Sequence, residues 1–555
     1  MKKLLFTITT ALTLAALFTS CGSSPKESNK IDPEKAVTSL APVVRTADKP
    51  YQGVYYSLFV RSFADSNGDG IGDFNGITAK LDYLNDGNDA TTSDLGITGI
   101  WLLPIFPSPS YHGYDVDDYY DVNPDYGTMA DFENLLSECK KRGISVIIDM
   151  TCNHSSTYNE WFKASRNVDD PHRTWYHWIT KDTPGYNFGA KMWGHDLWNA
   201  DFQFKDYYYS GEFGRHMPDF NLEDPGLRAE FKKVMKFWLD KGVAGFRYDA
   251  AGHVYDGIKY PAGTDSTGSA VKWWKEITDY NRSVYPDTYN VGEVWDNNAI
   301  RARYIEGLGS DFHFDIGDKY IVEMLKYEDA GKNTYANTLA SDLGRYAQSN
   351  PDYIDAPFLT NHDQPRVAGL LANNTEKLKC AAALYLLAEG VPFMYYGEEI
   401  AMMSGTKDET KRTAMLWNTS NSEGKPKDKY QTTWASKADS VYNRKTVSVA
   451  EQEKNPQSLL NYYKRLIRLR TSHEALHSGR LTPVDTETAG LSSWVMKSKN
   501  ESAFVVCNVT SAPVTTKIPS DYEDFAPIFI SDGNTASVSD GSMTVPAFGT
   551  VVIAK

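Results

Sequence analysis

From residue 51 onward the chain alternates short apolar runs with amphipathic stretches of helical period. Residues 53–60, 97–103, 144–150, 243–248, 289–294, 312–316, 358–361 and 391–396 are apolar nearly throughout, with Gly or Pro at their edges. That pattern predicts strands buried on both faces of a parallel sheet. The stretches between them carry helix signals. Asp224-Pro225 pairs a good N-cap with a proline at the first helical position. Leu227, Phe231, Val234 and Trp238 then mark one face, and Gly242 ends the helix. A second helix is predicted from Thr128 through Phe132, Leu135, Leu136 and Cys139 to Gly143. Eight strands with intervening helices are the pattern of an α/β chain folded as a (β/α)8 TIM barrel. No glycine-rich dinucleotide turn follows the first strand.

Two intervals depart from the pattern. Residues 154–221 are rich in Trp, Tyr, Gly and Asp without a helical period, and predict a domain inserted after the third strand. Beyond about residue 478 the runs alternate, as in 502–509 and 543–554, predicting a C-terminal antiparallel β-sandwich domain. The barrel thus falls in two parts, 51–153 and 222–478, with the β domain at 479–555. The first residues differ again. Lys2 and Lys3 precede an apolar run over 4–18, then Thr19, Ser20 and Cys21. The run is too short to span a membrane. It resembles a bacterial lipoprotein signal (1–20), with Phe18 where Leu is usual, followed by a polar tether over 21–50. The expectation is an exported lipoprotein at the bacterial cell surface or periplasm, held to the membrane only through Cys21.

Composition narrows the function. A net charge of -15 argues against nucleic acid as a partner, which needs clustered Lys and Arg. The 35 Tyr and 13 Trp suit stacking on flat, hydroxyl-rich ligands, although most such rings fill cores. Cys139, Cys152, Cys380 and Cys507 lack metal-type or redox spacing, so no disulfide is inferred.

Catalytic groups of a parallel barrel stand at the C-terminal ends of strands. Those ends read DMTCNH (149–154), GFRYDAAGH (245–253), VGEVW (291–295) and FLTNHD (358–363), each with a carboxylate. Cleavage of a glycosidic bond needs a proton donor and a second carboxylate. An Arg beside the second carboxylate favours its charged form. Any one segment could be an ordinary helix-capping carboxylate; four in order at barrel spacing point to a site.

With these motifs the chain resembles the α-amylase family, glycoside hydrolase family thirteen, over nearly all of 51–555. The resemblance implies Asp249 as nucleophile, Glu293 as general acid/base and Asp363 as transition-state stabiliser, with retention of configuration. Arg247, His154 and His362 match residues that hold the sugar, and Tyr114 matches the aromatic on which it stacks. His112, Asp115 and Arg366 are further implied substrate contacts. Asp65, Asn67, Asp69, Ile71 (through its carbonyl) and Asp73 resemble a calcium loop, with Gly76 where an EF-hand would close with Glu. Ca2+ is the expected cofactor. A second family calcium site would use Asn153 and the His253 segment, where Gly252 replaces the usual Lys.

Met217-Pro-Asp-Phe-Asn221 resembles the segment of a group intermediate between oligo-1,6-glucosidases and neopullulanases. His112, where exo-acting glucosidases usually carry Asp, and Val294-Trp295 favour endo-hydrolysis of α-1,4 chains. Arg412-Thr-Ala-Met-Leu-Trp417 points toward the glucosidase branch, so neopullulanase-like or transglycosylating activity is the alternative. A non-catalytic glucan-binding lipoprotein is the reading from another class, against which Asp249, Glu293 and Asp363 are all present. The expected partner is an α-glucan, and the expected state a monomer.

Overall fold

The computed structural model describes residues 39–418, 428–531, 536–539 and 541–555. The signal at 1–20, Cys21 and most of the tether lie outside the described residues. Eight parallel strands form the barrel: β1 (Tyr55–Leu58), β2 (Gly99–Leu102), β3 (Ser145–Thr151), β4 (Gly245–Asp249), β5 (Tyr289–Gly292), β6 (Ser310–Phe312), β7 (Ile354–Ala356) and β8 (Phe393–Tyr395). They hydrogen-bond in sequence order from β1 to β7, with β8 on the other side of β1. A parallel bridge from Phe358 to Phe393 closes the circle.

Two strands sit earlier than their apolar runs suggest. β6 begins at Ser310 and β7 spans Ile354–Ala356, paired residue for residue with Ser310–Phe312. Pro357 follows β7, and a proline cannot donate to a ladder. The predicted run at 358–361 therefore lies beyond the strand end, in the loop that carries His362 and Asp363.

The helices follow the expected spacing. α1 (Met129–Lys141) opens on a capping box between Thr128 and Asp131. α2 (Pro225–Asp240) is capped by Asp224, which accepts from Gly226 and Leu227 N–H, and buries Leu227, Phe231, Val234 and Trp238. Aromatic rings fill the barrel interior. Tyr55 packs on Phe393 at 5.0 Å and Tyr289 at 5.6 Å, and Trp101 packs on Phe312 at 5.3 Å. The Arg247 guanidinium lies 4.9 Å above Trp101. The polar layer at the top of the barrel thus rests on a buried aromatic floor.

Between β3 and α2 the insertion forms a small sheet of Trp178–Ile179, Tyr208–Ser210 and Trp198–Ala200, plus a hairpin of Lys191–Met192 with His195–Asp196. Ile179, Ala190, Leu197 and Trp198 make its own small core. Bridges from His154 to Asp219 and from Tyr176 to Phe220 close its base, and Phe220 N–H donates to the Asn153 carbonyl just past β3 at 2.9 Å.

The C-terminal region has a five-stranded antiparallel sheet, ordered β9 (Arg480–Pro483), β10 (Leu491–Lys497), β11 (Ser502–Asn508), β16 (Thr550–Ala554) and β13 (Ala526–Ile530). A second sheet joins β12 (Val514–Lys517), β15 (Ser542–Val545) and β14 (Ser537–Ser539). Leu491, Phe504, Val506, Val551 and Ile553 face the second sheet. The alternate residues Trp494, Met496, Val505, Cys507 and Val552 join the barrel's own core. The four cysteines in the described residues are buried and free.

Candidate active site

The strand ends deliver a cluster of four charged groups. Arg247 and Asp249 project from β4, Asp149 from β3, and Glu293 stands just past β5. The buried Arg247 guanidinium contacts Asp149 Oδ1 at 2.7 Å, Asp249 Oδ1 at 2.6 Å and Glu293 Oε2 at 2.8 Å. Ala250 N–H also donates to Glu293 Oε2 at 3.0 Å. Tyr114 donates to Asp149 Oδ2 at 3.1 Å, meets His362 Nε2 at 2.6 Å and stacks on that imidazole. Asp363, a third exposed, is held by Arg412 Nη2 at 2.9 Å and His362 Nε2 at 3.1 Å.

Three carboxylates around one guanidinium leave an excess of negative charge in a buried place. Burial pushes Asp249 well above the usual carboxylate range; Arg247 opposes this, while Glu293 and Asp149 reinforce it. Burial likewise lifts Asp149 to about 6 against the pull of Arg247. The arrangement is more crowded than an Arg–nucleophile pair, because Asp149 and Glu293 compete with Asp249 for the same guanidinium. At Asp363 the balance reverses: burial works against ionisation, but His362, Arg412 and Arg247 hold the carboxyl below its usual range. Burial and the nearby Lys259 bring His154 down to about 3, so its ring is neutral.

These groups open into a cavity of about 630 Å³. Asp249, Glu293, Asp363, Tyr114, His112 and His154 line it, with Arg247 and His362 buried beneath. Two expected contacts are elsewhere. Arg366 is buried, donates to the Tyr396 carbonyl at 2.6 Å and lies over the Tyr395 and Tyr396 rings. Asp115 is buried and accepts from the Ser108 and Ser110 hydroxyls, shaping the turn that carries Tyr114. Sequence reasoning did not assign Arg412, Asp408, Trp193 and Phe213 to the cavity, where the structure places them.

Residues 57–479 match the family model described as the α-amylase catalytic domain, and residues 491–552 match an α-amylase SusG C-terminal domain. The chain belongs to the α-amylase family. It is therefore a glycoside hydrolase of that family. Alpha-amylase 3 of Dictyoglomus thermophilum is 38% identical over 485 residues, covering 87% of this chain and 89% of the relative. An oligo-1,6-glucosidase of Heyndrickxia coagulans is 31% identical over 542 residues, covering 85% and 94%. The crystal structure of the α-amylase from H. orenii superposes with a TM-score of 0.79 at 37% identity, covering 91% of this chain and 99% of that one.

The two metal loops expected of an α-amylase relative differ here. In residues 65–73 the side chains of Asp65, Asn67 and Asp69 accept backbone N–H bonds from Asn67, Gly68, Gly70, Asp69 and Ile71. Asp73 accepts from Ser66 and Gly76. These bonds curl the segment; its oxygen donors are of the kind a hard cation such as Ca2+ takes, but the Asp65, Asp69 and Asp73 carboxylates do not converge on one point. The second place holds a lysine. Lys259 Nζ, fully buried, donates to Asn153 Oδ1 at 2.6 Å and Glu212 Oε2 at 3.0 Å, and lies 4.0 Å from Asp219 Oδ1. His253 Nδ1 meets the other Glu212 oxygen at 2.6 Å. Despite burial, Lys259 and His253 hold Glu212 down to about 2. An ammonium supplies the positive charge that a second cation would bring.

Proposed function

We propose that the chain hydrolyses internal α-1,4 bonds of starch, glycogen and maltooligosaccharides with retention, through a glycosyl intermediate on Asp249. The observation that carries this reading is one guanidinium, Arg247, reaching both Asp249 and Glu293. Two carboxylates sharing one guanidinium stand close, as in retaining enzymes, where roughly 5 Å separates them. Asp249 attacks the anomeric carbon as Glu293 protonates the departing oxygen. Glu293 then takes a proton from water, which releases the sugar from Asp249. Asp363, ionised and fixed by Arg412, binds hydroxyls of the distorted sugar. His154 Nε2 is buried without a protein hydrogen-bond partner and is available to a sugar hydroxyl.

Asp65, Asn67, Asp69, Ile71 and Asp73 would hold Ca2+, whose contribution is to brace the loop after β1. We also read the N-terminus as an export signal with a lipid anchor on Cys21, and the chain as a monomer. Among the described residues no helix is long and apolar enough to cross a membrane.

Products from soluble starch, pullulan and isomaltose test the reading. A rapid fall in starch chain length with mixed maltooligosaccharides is expected. Panose from pullulan as the main product would move the assignment to a neopullulanase-like activity. Glu293→Gln should bind maltohexaose yet turn over about 10³-fold more slowly or worse. Near-normal turnover by that variant would remove Glu293 from its role.

A further inference from the structure

The hairpin of Lys191–Met192 with His195–Asp196 turns through two residues, Trp193 and Gly194, both with positive φ, +45° and +90°. Such a tight turn ordinarily carries Asn, Asp or Gly, because a Cβ is strained in that backbone region. Here the first position carries the largest side chain available. Packing does not explain the choice. Trp193 leans on Phe213 at 5.0 Å and His253 at 5.7 Å, yet remains 61% exposed. A strained backbone that presents an unburied aromatic ring is a signature of a functional position.

The ring faces the cavity that holds Asp249 and Glu293. We propose that Trp193 is a specificity-determining stacking platform for a glucosyl unit on the leaving-group side of the scissile bond. The inference rests on the glucan-hydrolase reading above and deepens it. Its side is set by neighbours. His253, against which Trp193 packs, closes a turn onto the Ala250 carbonyl at 2.8 Å. The Ala250 N–H in turn binds Glu293, the group that protonates the departing oxygen. A second exposed ring, Trp295, stands two residues beyond Glu293 and stacks on Phe314 at 4.7 Å, leaving 57% of its surface open. The two tryptophans give the departing chain apolar walls at the acid's end of the cavity. A rigid ring binds the flat face of a pyranose with little loss of side-chain freedom.

Trp193→Gly and Trp193→Ala, each made in the parent and in the Glu293→Gln chain, separate the possibilities. Glycine adopts this backbone freely, so Trp193→Gly is expected to melt at or above the parent temperature. A clear drop would assign Trp193 to structure and overturn the proposal. Calorimetric titration of Glu293→Gln with maltohexaose should show binding about tenfold weaker once Trp193 is also replaced. Unchanged affinity would overturn it. In the parent background, the ratio of kcat/KM for maltohexaose to that for α-maltotriosyl fluoride should fall about tenfold, because fluoride leaves nothing for the ring to stack on. Equal loss on both substrates would refute the leaving-group placement. If the parent hydrolyses neither, the activity reading fails on its own, and the titration still decides the role of Trp193.

Discussion

Replacing Lys259 with Met tests whether an internal ammonium anchors the insertion to the barrel. Lys259 lies in the loop after β4, while Glu212 and Asp219 belong to the insertion and Asn153 follows β3. The ammonium is fully buried, as are both carboxylates. Methionine keeps most of the volume and removes the charge, leaving Glu212 with His253 alone. Removing one partner of a buried ion pair costs about 3–5 kcal/mol, chiefly because the remaining charge is stranded. Unfolding entropy of about 2 cal/mol/K per residue, over roughly 500 residues, converts that to a melting-point loss of about 3–5 °C. Scanning calorimetry at pH 7 measures it. Lys259→Ala opens space among Asn153, Glu212 and Asp219, all oxygen donors, so millimolar Ca2+ should restore part of its lost stability. A Lys259→Met chain melting within about 1 °C of the parent would refute the reasoning.

Arg412→Ala removes the partner of Asp363 Oδ1 and should lower kcat/KM for maltohexaose by about 10–100-fold, the worth of a hydrogen bond to a charged group. A change below threefold would show that Asp363 is positioned without it. Burial pushes Glu398 up to about 8, against hydrogen bonds from Tyr463 and Tyr385. Its raised folded value means that stability is lost as pH rises from about 4 to about 8. Glu398→Gln keeps a carbonyl for both hydroxyls and should raise the melting temperature at pH 8 but not at pH 4; equal melting at both values would refute this. If the 65–73 loop binds Ca2+ at a hundredfold excess over its Kd, chelation removes about 2.7 kcal/mol. Melting should fall accordingly in the parent and stay unchanged in Asp69→Ala, and a parent indifferent to chelator would remove the metal from the loop.

Much of this was legible in sequence because barrel chemistry is local to strand ends. The GFRYD, VGEVW and NHD segments each carry their carboxylate beside a recognisable apolar run, and the barrel brings all three to one cavity. Where pairing decides, sequence failed. β7 contains a central Asp355 that meets His313 from the neighbouring segment, so its run looked polar and the strand was placed too late. Lys259 finds Asn153 and Glu212 across 106 and 47 residues, a distance no motif spans. Asp115 carried the right chemistry for sugar binding, but the Ser108 and Ser110 hydroxyls engage it, and Arg366 lies over the Tyr395 and Tyr396 rings rather than in the cavity lining. The signal for Trp193 was present: a Trp-Gly pair between two short polar-edged runs, in an interval read only as aperiodic.

The central strands of the five-stranded C-terminal sheet are covered on both faces. One side meets its partner sheet, and the other supplies Trp494, Met496 and Val505 to the barrel core. Trp494 also donates to the Leu387 carbonyl just ahead of β8, and Cys380 reaches the Asn508 carbonyl. Cutting the chain near residue 479 would therefore lay bare a hydrophobic wall on the barrel, and the released fragment would carry a matching one. The region is thus a poor candidate for modular exchange between proteins: a graft would have to bring its docking surface with it. Proteases meeting the native chain should find no cleavable hinge at that junction, and heat should melt barrel and sheet in a single transition.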